Sequence, residues 1–317
     1  MNALKLLEHS DKDLGQRSDK LSSFIGGTPL FPISNVNPNT DVKVFAKLEW
    51  QQFGGSVKAR PAYRIVRDAI RRGDLTPDKH LLDASSGNTG IAYAHIGAAL
   101  GIPVTLCLPE NASEERKQIL TALGVNIKYT SRTGSTDEAQ EIAEALFEEE
   151  PEKYYYADQY SNPSNWKSHY YTTAPEILEQ SGYEVTHFVA GLGTTGTFTG
   201  TGRRLKEYNS KIELIGLQPE LAMHGLEGWK HLETAHTPGI YDDSVADQMR
   251  TVPTERAHEI IKMVARKEGL LISPSSAANL AGALDLAEEL DEGVIVTIFP
   301  DDGSKYGEVM NQLFKQQ

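Results

Sequence analysis

From residue 43 onward the chain keeps switching between two hydrophobic periods, and no other feature of the sequence limits its fold as much. Short β-branched runs, read as strands, alternate with stretches whose apolar residues recur at helical spacing. In the first half "VFAKLEW", "HLLDAS", "VTLCL" and "NIKYT" read as strands. Helical patterns follow them. The first lies behind Lys58, with Ala62, Ile65, Val66, Ala69 and Ile70 in register, and the second is "IAYAHIGAAL". A third runs from Ser113 to Gly124, and "TDEAQEIAEALFEEE" is the fourth. Ser113 is read as an N-cap because Glu114 and Glu115 occupy the turn behind it. The second half repeats the theme with "THFVAG", "IELIGLQ" and "VIVTIFP", interleaved with "RAHEIIKMVARKEG" and "AANLAGALDLAEEL". Such alternation builds an α/β fold, with twisted sheets of parallel type covered by helices on both faces.

A chain of 317 residues is long enough for two domains. The clearest break is "EEEPEKYYYADQYSNPSN", residues 148 to 165, which is acidic, aromatic and rich in turn formers. A cleft between two α/β units is the default ligand site. The net charge of -13 argues against nucleic acid or an anionic membrane as the main partner. No apolar run approaches the ~20 residues of a membrane helix, and "MNALKLLEHSDKD" turns charged too soon for a signal peptide. A single cysteine rules out an internal disulfide and fits a reducing cytoplasm. That residue, Cys107, reads as a buried strand position. No metal site is expected.

Four loops gather the chemistry-bearing residues. In "QQFGGSVKARPA", residues 51 to 62, Lys58 stands behind two glycines and a serine at the mouth of a helix. The glycines let backbone approach a bound group closely. The positive end of the helix favours a neutral, nucleophilic amine, the state that forms a Schiff base with a carbonyl. The plain alternative is a solvated lysine. "SSGNTG", Ser85 to Gly90, joins a strand to a helix whose N-terminus suits a carboxylate or phosphate. Its plain alternative is a polar turn capped by Asn88 or Thr89. In "GLGTTGTFTG", Gly191, Gly193 and Gly196 fit the dinucleotide fingerprint, with Glu220 beyond the next strand, so a nicotinamide oxidoreductase is a genuine rival. Against it, Thr194, Thr195, Thr197 and Thr199 offer hydroxyls that suit a terminal phosphate, and the rival leaves Lys58 and "SSGNTG" unexplained. The fourth loop, "SPSSAANLAGAL", opens a late helix that Ser275 or Ser276 caps in its plain reading.

Together these loops resemble the pyridoxal-phosphate-dependent cysteine synthase and cystathionine β-synthase family, of fold type II. The match runs in order from "IGGTPL" at 25 to 30 to "PDDGSKY" at 300 to 306, by way of "DQYSNPSN" and "GLQPE". "GTTGT" followed by "GLQPE" is most similar to the B-type cysteine synthases. The resemblance implies a smaller domain at 47–157 and a larger cofactor domain made of 1–46 and 158–317, with the active site in the interdomain cleft.

By the same resemblance, Lys58 carries pyridoxal 5'-phosphate as an internal aldimine and later moves the substrate's α proton. Gly193, Thr194, Thr195, Gly196 and Thr197 cup the phosphate, and Asn88 bonds the cofactor's 3' oxygen. Ser86, Thr89 and Gln159 hold the substrate carboxylate, with Ser85 nearby. Ser275 faces the pyridine nitrogen, with Ser276 left as the alternative. A serine there leaves that nitrogen largely unprotonated, which suits loss of a β leaving group. The implied reaction makes L-cysteine from O-acetylserine and sulfide through an aminoacrylate. O-phosphoserine as donor and serine with homocysteine, another thiol, stay open. A cytoplasmic homodimer is implied as well. The chain departs from the family at Gln52 and Phe53, in place of Asn-Pro, and at Ala59, in place of Asp. "LAMHGLEGWKHL", 221 to 232, has no close counterpart. Selection of the second substrate is expected there; Lys230 and His231 read either as cations that attract an anionic substrate or, in the plainer reading, as residues of a solvated surface turn.

Overall fold

The computed structural model describes residues 13–85, 87–132 and 135–315. In chain order the first elements are α1 (Leu14–Leu21), β1 (Leu30–Ile33), β2 (Val42–Leu48), α2 (Ala59–Arg72), β3 (His80–Ala84) and α3 (Asn88–Leu100). Next come β4 (Val104–Pro109), α4 (Glu114–Ala122), β5 (Asn126–Thr130), α5 (Ser135–Glu149), β6 (Tyr154–Tyr156), α6 (Ser164–Tyr171) and α7 (Thr173–Gln180). They are followed by β7 (His187–Gly191), α8 (Gly196–Tyr208), β8 (Glu213–Pro219), β9 (Gln248–Val252) and α9 (Thr254–Lys267). The last are α10 (Pro274–Glu289), β10 (Gly293–Phe299) and α11 (Gly307–Phe314).

The chain divides into two compact units. The smaller comprises the chain up to Gly26 together with Lys58–Gln159, and the larger comprises Gly27–Val57 and Tyr160–Gln317. The crossings therefore differ from 46/47 and 157/158. Two packings account for the difference. Strand β2 pairs in parallel with β10 along its whole length, which draws residues 27–57 into the larger sheet. Tyr63 donates to the carbonyl of Ser18, and Arg71 pairs with Asp19, which ties the N-terminal segment to α2.

In the smaller unit four parallel strands run in the order β5-β4-β3-β6. Helix α5 covers one face through Ala139 and Ala143, packed against Leu82, Ala84, Cys107 and Tyr154. Cys107 is indeed a buried strand residue. Helix α3 lies so close to β4 that a Cβ at Gly97 would stand 2.3 Å from Val104. Ser113 sits at the N-cap of α4, yet its hydroxyl makes no capping bond and is buried without a partner.

In the larger unit six strands run β1-β2-β10-β7-β8-β9, with only β1 antiparallel. Alternate residues of the inner strands feed two cores, as a sheet buried on both faces requires. Val189, Ile215, Leu217 and Ile295 join α9 and α10 on one side. Phe188, Ala190, Leu214, Val296 and Ile298 join α7 and α8 on the other. Among the described residues no helix is long and apolar enough to cross a membrane, and no cluster of His, Cys, Asp and Glu could hold a metal.

Candidate active site

The lysine turn is fastened from its own side before the chain reaches Lys58. Gln52 Nε2 donates to the Glu49 carbonyl at 3.0 Å, to Glu49 Oε2 at 2.9 Å and to the Ser56 carbonyl at 3.2 Å. Gly54 and Gly55 then take positive φ values of 87° and 62°, which glycine tolerates best. Val57 N donates to the Pro300 carbonyl at 2.8 Å. The glutamine that departs from the family pattern is therefore the residue that pins the turn. Lys58 follows at the N-cap of α2, half-buried, with no side chain capping the helix. Its backbone stands at the positive end of a 14-residue helix. Ala59 is fully buried, so an aspartate there would need a partner.

In the same smaller unit, Ser85 Oγ accepts from the amides of Gly87 at 3.3 Å and Gly90 at 3.1 Å. Ser85, rather than Asn88 or Thr89, therefore closes this turn. Gly90 has no room for a side chain, since a Cβ would meet the Ser85 carbonyl at 2.6 Å. Asn88 opens α3 and is half-buried. Thr89 Oγ1 donates to Gln159 Oε1 at 2.6 Å, and Gln159 Nε2 donates to the Ala84 carbonyl at 3.2 Å. Two of the expected carboxylate ligands are thus already joined to one another, Thr89 from the first turn of α3. Ser86 lies outside the described residues.

The larger unit holds the Gly/Thr-rich loop between β7 and α8. Its three glycines answer to the protein's own packing. A Cβ at Gly191 would stand 2.0 Å from the Trp229 ring, one at Gly193 would stand 2.0 Å from the Gly228 carbonyl, and one at Gly196 would stand 2.0 Å from Asn165 Oδ1. The dinucleotide spacing therefore has a local cause in segments 165 and 228–229. Thr195, at the N-cap of α8, is held at φ +69°, a left-handed conformation costly for threonine. Its hydroxyl is buried with no hydrogen-bond partner. Thr194 Oγ1 accepts from Asn165 Nδ2 at 3.1 Å, and Thr197 Oγ1 lies 3.3 Å from His169 Nε2. His169 is fixed in turn by Thr173 at 2.9 Å. An orphaned hydroxyl at the uncapped start of a 13-residue helix suits a phosphate oxygen. The residues present therefore fit the phosphate of the implied cofactor.

Sequence reasoning missed Asn165 and His169, which brace this loop. Asn165 is the last residue of the stretch taken as a domain break and His169 lies four residues beyond it, although their i,i+4 spacing marks one helix face.

The start of α10 separates the two serines. Ser273 is the cap, accepting from Ser276 N at 3.2 Å. Ser276 Oγ receives a hydrogen bond from Ser273 at 2.9 Å and donates to the Asp301 carbonyl at 2.7 Å. Ser275 Oγ has only a 3.2 Å contact to Ser273. The 221–232 segment differs from expectation. Lys230 N donates to the Leu192 carbonyl at 2.8 Å, while its Nζ donates to the His236 carbonyl at 3.1 Å and lies over the Tyr160 ring. His231 Nδ1 is 3.0 Å from Thr234 Oγ1. These groups are engaged within the larger unit, and the segment braces the Gly/Thr loop.

Comparison with known proteins adds a family and relatives. Residues 21–301 match the family described as "Pyridoxal-phosphate dependent enzyme". The chain is 45% identical over 308 residues to the cysteine synthase of Aquifex aeolicus (strain VF5), covering 95% of this chain and 94% of that protein. It is 37% identical over 288 residues to cysteine synthase B of Pseudomonas aeruginosa, covering 90% and 95%. Among solved structures, the cysteine synthase of Entamoeba histolytica superposes with a TM-score of 0.86 at 30% identity, covering 94% of this chain and 95% of that one.

Proposed function

Because the chain belongs to the pyridoxal-phosphate dependent enzymes, we propose a role in that chemistry for each residue of the candidate site. The reaction is the formation of cysteine from an activated serine and sulfide. The nicotinamide rival rested on a glycine spacing that Trp229, Gly228 and Asn165 account for without a dinucleotide.

When bound, the cofactor supplies an electron sink that acidifies the α carbon of an attached amino acid. The loop 193–197 holds its phosphate through Thr194, Thr195 and Thr197 and the first amides of α8. The observation that carries this assignment is the buried Thr195 hydroxyl, which nothing in the protein satisfies. Ser275 faces the pyridine nitrogen, because the hydroxyl of Ser276 is already engaged on both sides. Asn88 meets the ring oxygen. Lys58 Nζ anchors the cofactor and takes the proton from the substrate's α carbon. Thr89 and Gln159 orient the substrate carboxylate, helped by the amides at the start of α3 and by Ser86. Ser85 is placed differently, since its oxygen accepts from two amides of that turn. Its part is to shape the carboxylate site.

Acetate from O-acetylserine is the leaving group proposed here, and the enzyme works as a homodimer in the cytoplasm. A product assay tests the reading. O-acetylserine with sulfide should yield cysteine, and a protein that instead turns over only serine with homocysteine refutes it.

A further inference from the structure

Asp83 is fully buried near the end of β3 and has no part in the site described so far. Its Oδ1 accepts the Ala84 amide at 2.8 Å, while Oδ2 is buried with no hydrogen-bond partner. The Tyr93 hydroxyl, on α3, is also buried and unsatisfied, and the two groups influence one another's ionisation. Other titratable groups come from each neighbouring element: Cys107 on β4, Tyr155 and Tyr156 on β6, and Asp158 in the turn after β6. Glu144 on α5 acts on Tyr156. None of the groups acting most strongly on Asp83 is a cation. Burial first, and the charge of Asp158, push the carboxyl up to about 7, opposed chiefly by the hydrogen bond from the Ala84 amide. The Tyr93 hydroxyl and the Gln159 backbone N–H, neither of which meets hydrogen-bond geometry, oppose it more weakly. The Cys107 thiol is pushed up to about 11, chiefly by burial, so it stays neutral beside Asp83.

Asp83 stands directly behind the carboxylate clamp. Ala84, whose amide it receives, gives its carbonyl to the Gln159 side chain, and Gln159 receives Thr89. The turn presenting Gln159 is strained, with Asp158 at φ +43°. We propose that Asp83 is a positioning residue of this clamp, joined to it through the Ala84 peptide, and that its charge state sets how readily the clamp accepts an anion. The proposal rests on the reading of Thr89 and Gln159 as ligands of the substrate carboxylate. An ionised Asp83, itself fully buried, places one anion behind another, whereas a protonated Asp83 does not. Binding and protonation are then linked, so an incoming carboxylate must in turn raise the proton affinity of Asp83.

The test uses the holoenzyme and L-alanine, which has the amino and carboxylate groups of a substrate and no leaving group. Its affinity is read from the cofactor's visible spectrum between pH 6 and 8, in wild type and in Asp83→Asn. Contributions from the ligand's amine and from the cofactor are common to both proteins. The wild type should lose roughly tenfold more affinity than the variant across this range. Equal pH dependence in the two proteins overturns the proposal. Should Asp83→Asn fail to fold, infrared spectroscopy of the wild type decides. A protonated-carboxyl band should vanish between pH 6 and 8 and move to higher pH with alanine, and its absence overturns the proposal. An enzyme that shows the alanine effect but makes no cysteine refutes the activity and leaves the role of Asp83 standing.

Discussion

Thr89 and Gln159, seventy residues apart in the chain, meet at 2.6 Å in the smaller unit with 4% and 3% of their surfaces exposed. The hydroxyl donates to Oε1, and the amide nitrogen of the same glutamine is held by the Ala84 carbonyl. The single Thr89 proton is committed to Gln159 here, so in the proposed role the hydroxyl must turn from Oε1 to the incoming carboxylate, and the two side chains rearrange together. Because the two residues share a bond, they should act as a unit. Thr89→Ala and Gln159→Ala should each weaken donor capture roughly ten- to hundredfold, on the order of 1.5–3 kcal/mol for a hydrogen bond to a charged group. The double variant should lose less than the sum of the two. Cofactor content should stay normal in all three. Additive losses in the steady-state donor constant would show that the pair does not work together.

Gly191 tests whether the fingerprint glycines serve the protein's own packing. A methyl group there would stand 2.0 Å from the Trp229 ring. Gly191→Ala should destabilise the cofactor-free protein by about 1–3 kcal/mol or more, the usual range for overpacking. Adding Trp229→Leu should recover part of that loss in denaturant unfolding. No recovery would mean that the glycine is needed for another reason.

The two serines of α10 should separate cleanly. Ser276→Ala breaks buried bonds to Ser273 and to the Asp301 carbonyl, so it should cost stability, about 1–3 kcal/mol. Ser275→Ala should leave stability nearly unchanged and alter the cofactor's visible band and the turnover rate. The reverse pattern would assign the pyridine nitrogen to Ser276.

What the sequence made legible follows burial in all but one strand, the exposed edge strand β5. The inner strands β2, β3, β4, β7, β8 and β10 carry continuous apolar runs because both faces are covered, and those runs are what periodicity detects. The strands left unread, β1, β6 and β9, all lie at sheet edges. β1 contains Pro32, β6 is three tyrosines, and β9 is polar and mostly exposed. The site divides in the same way. Lys58, Thr89 and the 193–197 loop sit at the ends of strongly patterned elements, so their positions could be read. Asn165, His169, Trp229 and the bond that occupies Ser276 act across long sequence separations, and no local pattern announces such contacts. Gln52 looked like a departure from the family, but its side chain fastens the turn before Lys58.

The pH dependence of stability offers a reading of Asp83 that needs neither cofactor nor substrate. Its carboxyl rises to about 7 in the folded protein, above the usual carboxylate range. The folded state therefore binds this proton more tightly than the unfolded chain does. The resulting stability is complete below about pH 4 and is lost as pH rises towards 7. His80, His187, His224 and His258 oppose it. Burial lowers all four, so the unfolded chain binds their protons more tightly and their contribution grows as pH rises towards 6.5. The raw stability curve mixes these slopes, whereas the difference between wild type and Asp83→Asn isolates one of them. The variant should gain on the wild type by roughly 2–4 kcal/mol between pH 4 and 7, with the gap constant above pH 8. Guanidinium titrations of the cofactor-free proteins at four or five pH values measure this directly. A gap that does not change with pH would mean that Asp83 ionises as an ordinary carboxylate, and the buried proton behind the Thr89–Gln159 clamp would not exist.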